Sequence, residues 1–137
     1  MPLVVDTGPL LASLDRADPE HEACVDLLGT TTEDRVIPTL VLAEVDYWCD
    51  QRLGTSAWLS LLDDILGGAY RVEHPTPADL SRCRVLQAQY SDLQLGVVDA
   101  SVIALLERLD EEKVATLDRR HFSVVRPVHT AGFRILP

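Results

Sequence analysis

The sequence predicts an α/β protein, a three-layer α/β/α sandwich around a central, mainly parallel sheet of four to five short strands. Short apolar stretches alternate along the chain with segments of helical periodicity, which is the order of βαβ units. Continuous apolar strands are typical of a parallel sheet that helices cover on both faces. The chain has 137 residues, 47% of them apolar, so we expect a single domain over residues 1–137.

Turn and cap residues mark the elements of the first part of the chain. Gly8 and Pro9 form a turn after the first apolar stretch, and a short helix follows. Asp18 before Pro19 has the pattern of an N-cap with proline at the first helical position. The predicted elements are a strand at residues 3–5 and helices at 9–15 and from 19 to about 28.

Similar signals delimit the middle of the chain. Thr39 follows an apolar stretch and is placed to cap a helix that Gly54 closes. Thr55 or Ser56 caps the next helix, and the glycine pair at 67–68 ends it. The predicted elements are a strand at residues 36–38 and helices that extend to residues 53 and 66.

The last part of the chain repeats the alternation. Thr76 before Pro77 is again a cap followed by proline, and it predicts a helix to about residue 90. A second helix carries an apolar stripe at helical spacing. The predicted elements are strands at residues 70–73, 114–117 and 134–136, and a further helix at 98–109.

Composition excludes several classes of protein. The three cysteines are far apart, which argues against a disulfide framework and against a thiolate zinc site. We see no signal peptide and no apolar run near 20 residues, so we expect a soluble, cytoplasmic protein without membrane contact. The net charge of −10 by itself predicts weak affinity for nucleic acid, but residues 113–137 are net positive.

Two acidic residues follow predicted strands. Asp6 comes directly after the first strand, and Asp118 comes directly after the fourth. Because ligands bind beyond the carboxyl ends of the strands in an open parallel sheet, we expect both side chains at one crevice. Each also has a structural explanation, since Asp6 can close an Asx-turn and Asp118 can be a surface turn residue.

Two further acids interrupt apolar helix faces. Asp99 shares a face with Val102 and Ile103, and Glu44 lies in a largely apolar stretch. A buried carboxylate is costly unless it is paired or binds a metal. Asp99 can instead be a helix-start residue favoured by the dipole, and Glu44 can pair with an arginine. The coincidence of all four acids favours a common site.

Carboxylates without a histidine or cysteine cluster suit hard cations, Mg²⁺ or Mn²⁺, rather than zinc. Such ions engage substrate phosphates, and a pair about 3.5–4 Å apart can activate a water and stabilise the leaving oxygen of a phosphodiester. The histidines lack any HExxH or HxH spacing, and His121 alone stands near a proposed site residue. The sequence therefore predicts metal-dependent phosphodiester chemistry.

Four segments of the chain resemble, in order, the conserved blocks of PIN domains, and most closely those of the VapC toxins. They are residues 5–11 (VDTGPLL), 38–45 (PTLVLAEV), 95–102 (LGVVDASV) and 115–122 (ATLDRRHF). The resemblance implies an endoribonuclease that uses Mg²⁺ or Mn²⁺ and leaves 5′-phosphate and 3′-hydroxyl ends. It also implies a homodimer, an RNA substrate and a cognate VapB-like antitoxin that silences the enzyme.

The resemblance also implies roles for particular residues. The metal-binding and catalytic acids would be Asp6, Glu44, Asp99 and Asp118. The supporting hydroxyls would be those of Thr7, Ser101 and Thr116. Separately from the resemblance, the net-positive segment suggests a phosphate grip by Arg119 and Arg120, since arginine suits bidentate phosphate contact. Coding bias is the alternative explanation for the arginines.

Other functions fit the sequence less well. Asp6-Thr7-Gly8 is the signature of aspartic proteases, but those enzymes are β-rich. A phospho-acceptor receiver domain needs adjacent acids after its first strand, where this chain has Thr7, and a late lysine, for which only Lys113 is available. A metal- or protein-binding module without catalysis is the remaining alternative. Trp48 and Trp58 lie in predicted helices, which favours core or interface positions over base stacking.

Overall fold

The computed structural model describes residues 1–137 and contains a five-stranded sheet in the order β3-β2-β1-β4-β5. All four neighbouring pairs are parallel. The strands are β1 (Pro2–Val5), β2 (Asp34–Pro38), β3 (Arg71–Glu73), β4 (Lys113–Ala115) and β5 (Arg134–Leu136). A fully parallel sheet needs a crossover between successive strands, and helices supply each one.

Seven helices flank the sheet, which confirms the predicted α/β/α class. They are α1 (Thr7–Leu14), α2 (His21–Thr30), α3 (Thr39–Arg52), α4 (Thr55–Leu66), α5 (Pro77–Gln89), α6 (Val97–Arg108) and α7 (Arg119–Val124). A short 3-10 turn, Ser91–Leu93, precedes α6. None of the helices is long and apolar enough to cross a membrane.

The core surrounds the central strand β1. Val4 is fully buried and aligns with Val36 of β2 and Val114 of β4, so apolar side chains line up across the middle of the sheet. The middle of helix α6, residues 100–106, is buried, with Ile103 and Leu106 fully buried. Because β1 has a neighbour on each side, the residue after it lies at the middle of the sheet's carboxyl edge.

Three helix starts differ from the prediction. Helix α1 begins at Thr7 instead of residue 9, so Gly8 and Pro9 lie in its first turn and do not form a separate turn before it. Helix α2 begins at His21 instead of residue 19, because the Asp18 carboxylate accepts the amide of Glu20 at 2.8 Å and forms a turn. Thr39 is the first residue of α3 and does not cap it. Its hydroxyl donates to the carbonyl oxygen of Glu73 at 3.0 Å, so it attaches α3 to the end of β3.

The region after β4 also differs. The strand ends at Ala115, two residues before the predicted end, and α7 follows as a helix that the sequence did not predict. Thr116 accepts the amide of Asp118 at 3.0 Å, and the Asp118 carboxylate accepts the amide of His121 at 3.0 Å. These two side-chain bonds turn the chain out of the sheet and start α7.

Candidate active site

Asp6 occupies the middle of the carboxyl edge, directly after β1. Its amide donates to the carbonyl of Ala115 at 2.9 Å, and its Oδ2 accepts the hydroxyl of Thr116 at 2.8 Å. The side chain is only 4% exposed, and Oδ1 is buried without any hydrogen-bond partner. A buried carboxylate oxygen with no partner is costly, and cation binding is a usual reason to retain one.

Glu44 reaches the same place from α3. Its Oε1 accepts the hydroxyl of Thr7 at 2.5 Å, and Thr7 is the residue that follows Asp6. The charge of Glu44 also contributes to the raised pKa of Asp6. The partner of Glu44 is therefore a hydroxyl at the sheet edge and not an arginine.

Asp99 and Asp118 meet at His121. The imidazole Nδ1 lies 2.6 Å from Asp99 Oδ2 and 2.7 Å from Asp118 Oδ2, and Nε2 lies 3.2 Å from the carbonyl oxygen of Leu93. One ligand atom from each of the three side chains lies within 4.8 Å of the others, close enough to share an ion. Asp99 is in the first turn of α6, and Asp118 caps α7.

Charge interactions link Asp6 to the other three acids, whereas the ligand atoms that lie close enough to share one ion belong to Asp99, Asp118 and His121 and not to Asp6 or Glu44. Burial raises the pKa of Asp6 to about 6. The nearby Thr7 amide and the hydrogen bond from the Thr116 hydroxyl lower this pKa, and the charges of Glu44 and Asp118 raise it further. Burial also raises the pKa of Asp99 to about 7, and the neighbouring Asp6 charge adds to the effect. Mutual repulsion between carboxylates is what a bound cation would relieve.

His121 was the functional candidate that sequence reasoning undervalued. Burial lowers its pKa, but the hydrogen bond that the imidazole donates to Asp99 and the charges of Asp118 and Asp99 outweigh burial and raise it. One feature of the sequence does point to His121: it lies three residues after Asp118, and this is the spacing between a helix N-cap residue and the amide that its side chain binds. Only the fold shows that its side chain also contacts Asp99.

The three hydroxyl residues have different surroundings. Thr7 and Thr116 donate to Glu44 and Asp6, as described above. Ser101 instead donates to the carbonyl of Val98 in its own helix at 2.7 Å, and it forms no hydrogen bond with the four acids. It lines a small polar cavity together with Arg108, away from the cluster.

Arg119 and Arg120 both lie in the first turn of α7, beside Asp118. Their side chains are exposed, and neither forms an ion pair with a protein carboxylate. Arg119 donates to the carbonyl oxygen of Pro137 at 3.3 Å, and Arg120 has no hydrogen-bond partner. The guanidinium of Arg120 and the remaining N–H donors of Arg119 are therefore available to a ligand.

The donor set fits a hard divalent cation. Carboxylate oxygens of Asp6, Glu44, Asp99 and Asp118 dominate it, and the imidazole of His121 is the one nitrogen donor nearby. Mg²⁺ and Mn²⁺ prefer oxygen ligands, while zinc sites use several nitrogen or sulfur donors. Oδ1 of Asp6 is buried without a hydrogen-bond partner, and coordination to such an ion would give it one.

Known proteins share both the sequence and the fold. A family model described as the PIN domain matches residues 3–126. Ribonuclease VapC26 of Mycobacterium tuberculosis is 33% identical over 135 residues, which cover 98% of this chain and 100% of that protein. The Mycobacterium tuberculosis VapC20 structure, described as a sarcin-ricin loop cleaving toxin, aligns with a TM-score of 0.82 at 20% identity over 93% of this chain and 98% of that one.

A structure of VapBC2 from Rickettsia felis aligns over all of both chains with a TM-score of 0.71 at 14% identity. A toxin–antitoxin complex from Klebsiella pneumoniae aligns over 96% of this chain and 99% of that one, with a TM-score of 0.68 at 15% identity. Together with the acids at the sheet edge, these matches define the class: the chain belongs to the PIN-domain family. Within that family it belongs to the VapC ribonucleases, the toxins of toxin–antitoxin pairs.

Proposed function

We propose that residues 1–137 form one PIN-like domain that acts as a Mg²⁺- or Mn²⁺-dependent endoribonuclease in the cytoplasm and inhibits translation by cutting RNA. The observation that carries the proposal is the buried, unpartnered Oδ1 of Asp6 inside a cluster of carboxylates. Two of these acids, Asp6 and Asp99, have raised pKa values, and a bound cation would favour their charged forms near neutral pH.

Asp6 and Asp99 are proposed to hold the principal ion, with Glu44 assisting. Asp118 completes a second, weaker site or orients a water. A bound divalent ion supplies an activated water and charge compensation for the phosphodiester, so no protein nucleophile is required. The hydroxyls of Thr116 and Thr7 fix the orientation of the Asp6 and Glu44 carboxylates. Ser101 stays a predicted supporting residue, without a contact to the acids.

We assign the binding of the RNA phosphates to Arg119 and Arg120. Both are exposed beside Asp118, and guanidinium groups bind phosphate oxygens in a bidentate way. They offset a net charge of −10 where the substrate backbone would approach. Their contacts would position RNA without specifying its sequence.

The proposed partners are a VapB-like antitoxin and a second copy of this chain. The Rickettsia felis and Klebsiella pneumoniae structures are toxin–antitoxin complexes, which supports a partner of that kind here. We expect the antitoxin to silence the enzyme by placing an arginine or lysine among the four acids, because a guanidinium suits an acidic pocket without metal. An antitoxin that still inhibits after removal of all its basic residues would contradict this.

A chelator-sensitive cleavage assay tests the function. The wild-type protein should cut RNA internally with Mg²⁺ or Mn²⁺, and EDTA should stop the reaction. Asp6→Asn should abolish cleavage and retain the fold, because an amide binds these cations poorly. Asp63→Asn, on the exposed surface of α4, is the matched control and should cleave normally. A protein that binds metal but never cleaves would instead be a non-catalytic binding module.

A further inference from the structure

A cavity of about 190 Å³ opens beside the acid cluster, between α1, α3 and the loop after β4. Two of its wall residues adjoin the acids: Gly8 is two residues from Asp6, and Leu117 precedes Asp118. A side chain at position 8 would press against Leu117, since a Cβ there would lie 3.0 Å from the Leu117 Cβ. Glycine at position 8 therefore allows the start of α1 and the loop at Leu117 to approach closely and to form one wall of the cavity.

The opposite wall of the cavity is formed by one face of α3, and Glu44 lies on the same face nearer the acids. Glu44, Trp48 and Arg52 are spaced four residues apart on α3 and lie on one side of it. Glu44 is bound to Thr7 at the sheet edge, and Trp48 lies one turn farther along, about 6 Å. A strand of RNA with its phosphate at the acids would meet this wall with a neighbouring nucleotide.

Trp48 and Arg52 already form a stack. The guanidinium carbon of Arg52 lies 4.6 Å from the ring centroid of Trp48, and the Trp48 and Tyr47 rings form a T-shaped pair with centroids 5.0 Å apart. Trp48 is 37% exposed, so it is not a core residue, although the sequence favoured a core or interface position over base stacking. Unpaired RNA bases stack on aromatic rings and on arginine planes. A benzene ring fits in a cavity of about 150 Å³, so this cavity has room for a planar base.

The polar rim favours a base over a phosphate. Asp15 and Asp18 line the cavity, and each uses Oδ1 to accept a backbone amide, at 3.0 Å from Ala17 and 2.8 Å from Glu20. The second oxygen of each carboxylate has lone pairs left to accept a hydrogen bond. Carboxylates repel phosphate but accept the N–H groups on the edge of a base.

We propose that this cavity binds one unpaired nucleobase of the RNA substrate, with guanine preferred, next to the phosphate that is cut. Guanine presents two adjacent N–H donors on its Watson–Crick edge, which match a carboxylate, while uracil presents a single donor between two acceptors. The inference rests on the proposed ribonuclease function. It adds a specificity site that cleavage chemistry does not require.

Binding is tested without cleavage, in EDTA, with mononucleotides as probes. The chain has two tryptophans, so Trp58→Phe leaves Trp48 as the only one. GMP should quench its fluorescence and bind at least fivefold more tightly than UMP. Asp15→Asn with Asp18→Asn should remove most of that preference. Equal quenching by GMP and UMP, or none by either, would overturn the proposal.

Cleavage kinetics give an independent test on a guanine-containing oligonucleotide. Trp48→Leu and, separately, Arg52→Ala should raise KM about tenfold and change kcat less than threefold, whereas Trp58→Leu should leave KM unchanged. An unchanged KM in an active Arg52→Ala protein overturns the cavity and leaves the ribonuclease function standing. A change of oligomeric state in Trp48→Leu, with GMP binding unaffected by Arg52→Ala, would make this face a protein interface and also overturn it. Absence of cleavage by the wild type would contradict the function and not the GMP result.

Discussion

The imidazole Nδ1 of His121 lies 2.6 Å from Oδ2 of Asp99, although 22 residues separate them. The same nitrogen lies 2.7 Å from Asp118, so one side chain connects an acid of α6 to an acid of α7. The affinity of a metal site depends on the ligands and also on the groups that hydrogen-bond to those ligands and orient them. His121 is therefore a positioning residue for the proposed metal site.

Replacing His121 tests that role. His121→Phe should weaken Mn²⁺ binding and cleavage about 10- to 100-fold, the usual effect of losing such a partner. His121→Asn, which keeps an N–H donor, should recover part of the loss. Calorimetric Mn²⁺ titration and RNA cleavage measure both effects. His129→Phe is the control, since His129 contacts the carbonyl of Glu111 and not the acids. Full Mn²⁺ affinity in His121→Phe would refute the positioning role.

The four acids should differ in importance. Glu44→Gln and Asp99→Asn should reduce cleavage almost as far as Asp6→Asn, whereas Asp118→Asn should have a milder effect because it serves a second site. Single-turnover rates at saturating Mn²⁺ measure the order, and circular dichroism checks the fold. A wild-type rate in Glu44→Gln would remove Glu44 from the site.

Thr116 should control the protonation of Asp6. Its hydroxyl is fully buried and donates to Asp6, a bond that lowers the pKa of that acid. Thr116→Val should therefore move the acidic limb of the pH–rate profile upward and destabilise the protein by about 1–3 kcal/mol. Thr116→Ser keeps the hydroxyl and should keep the wild-type profile. If both variants share one profile, the hydroxyl does not act on Asp6.

The metal-free protein should lose stability as the pH rises. The folded-state pKa of Asp6 is about 6 and that of Asp99 about 7, both above the ordinary value of 3.8 for an aspartate. A raised carboxyl pKa gives stability that is present below about pH 4 and is lost as the pH rises through 6 to 7. Asp6→Asn should then be more stable than the wild type at pH 8 in EDTA, by about 1–3 kcal/mol. Urea unfolding at pH 5 and pH 8 decides.

Divalent metal should reverse this loss. Mn²⁺ that binds only the folded protein stabilises it by about 2.7 kcal/mol at a hundredfold excess over Kd. The rise in Tm should be larger at pH 8 than at pH 5, because the carboxyl groups must be deprotonated to bind. Asp6→Asn should show little rise at either pH. A Tm that millimolar Mn²⁺ does not raise at pH 8 would contradict a metal site.

The proposed phosphate grip should appear in the salt dependence of RNA binding. Arg119→Ala with Arg120→Ala should weaken all RNAs about equally and flatten the slope of log K against log salt by about 1.4, or 0.7 per contact. Cleavage at saturating RNA should fall much less. Arg84→Ala, an exposed arginine on α5, is the control. An unchanged slope would assign both arginines to solvent.

The amino-acid sequence by itself determined the class of fold and the region of the site. Apolar runs, caps and turns are signals between near neighbours, so the strands and most helices followed from them, and Asp6 fell at a strand end for the same reason. The capping box of Thr76 is formed as its Thr-Pro pattern indicated. Where two local signals competed, as at Asp18, the boundary shifted by two residues.

Only the tertiary structure decided which side chains meet. The bonds from Thr7 to Glu44 and from Thr116 to Asp6 span 37 and 110 residues. They depend on β1 lying between β2 and β4, an order of strands that no local pattern encodes. The packing of the helices on the sheet likewise decides three further features. It leaves Trp48 exposed, buries Ser101, and brings His121 against Asp99, because burial and contact depend on neighbours in space.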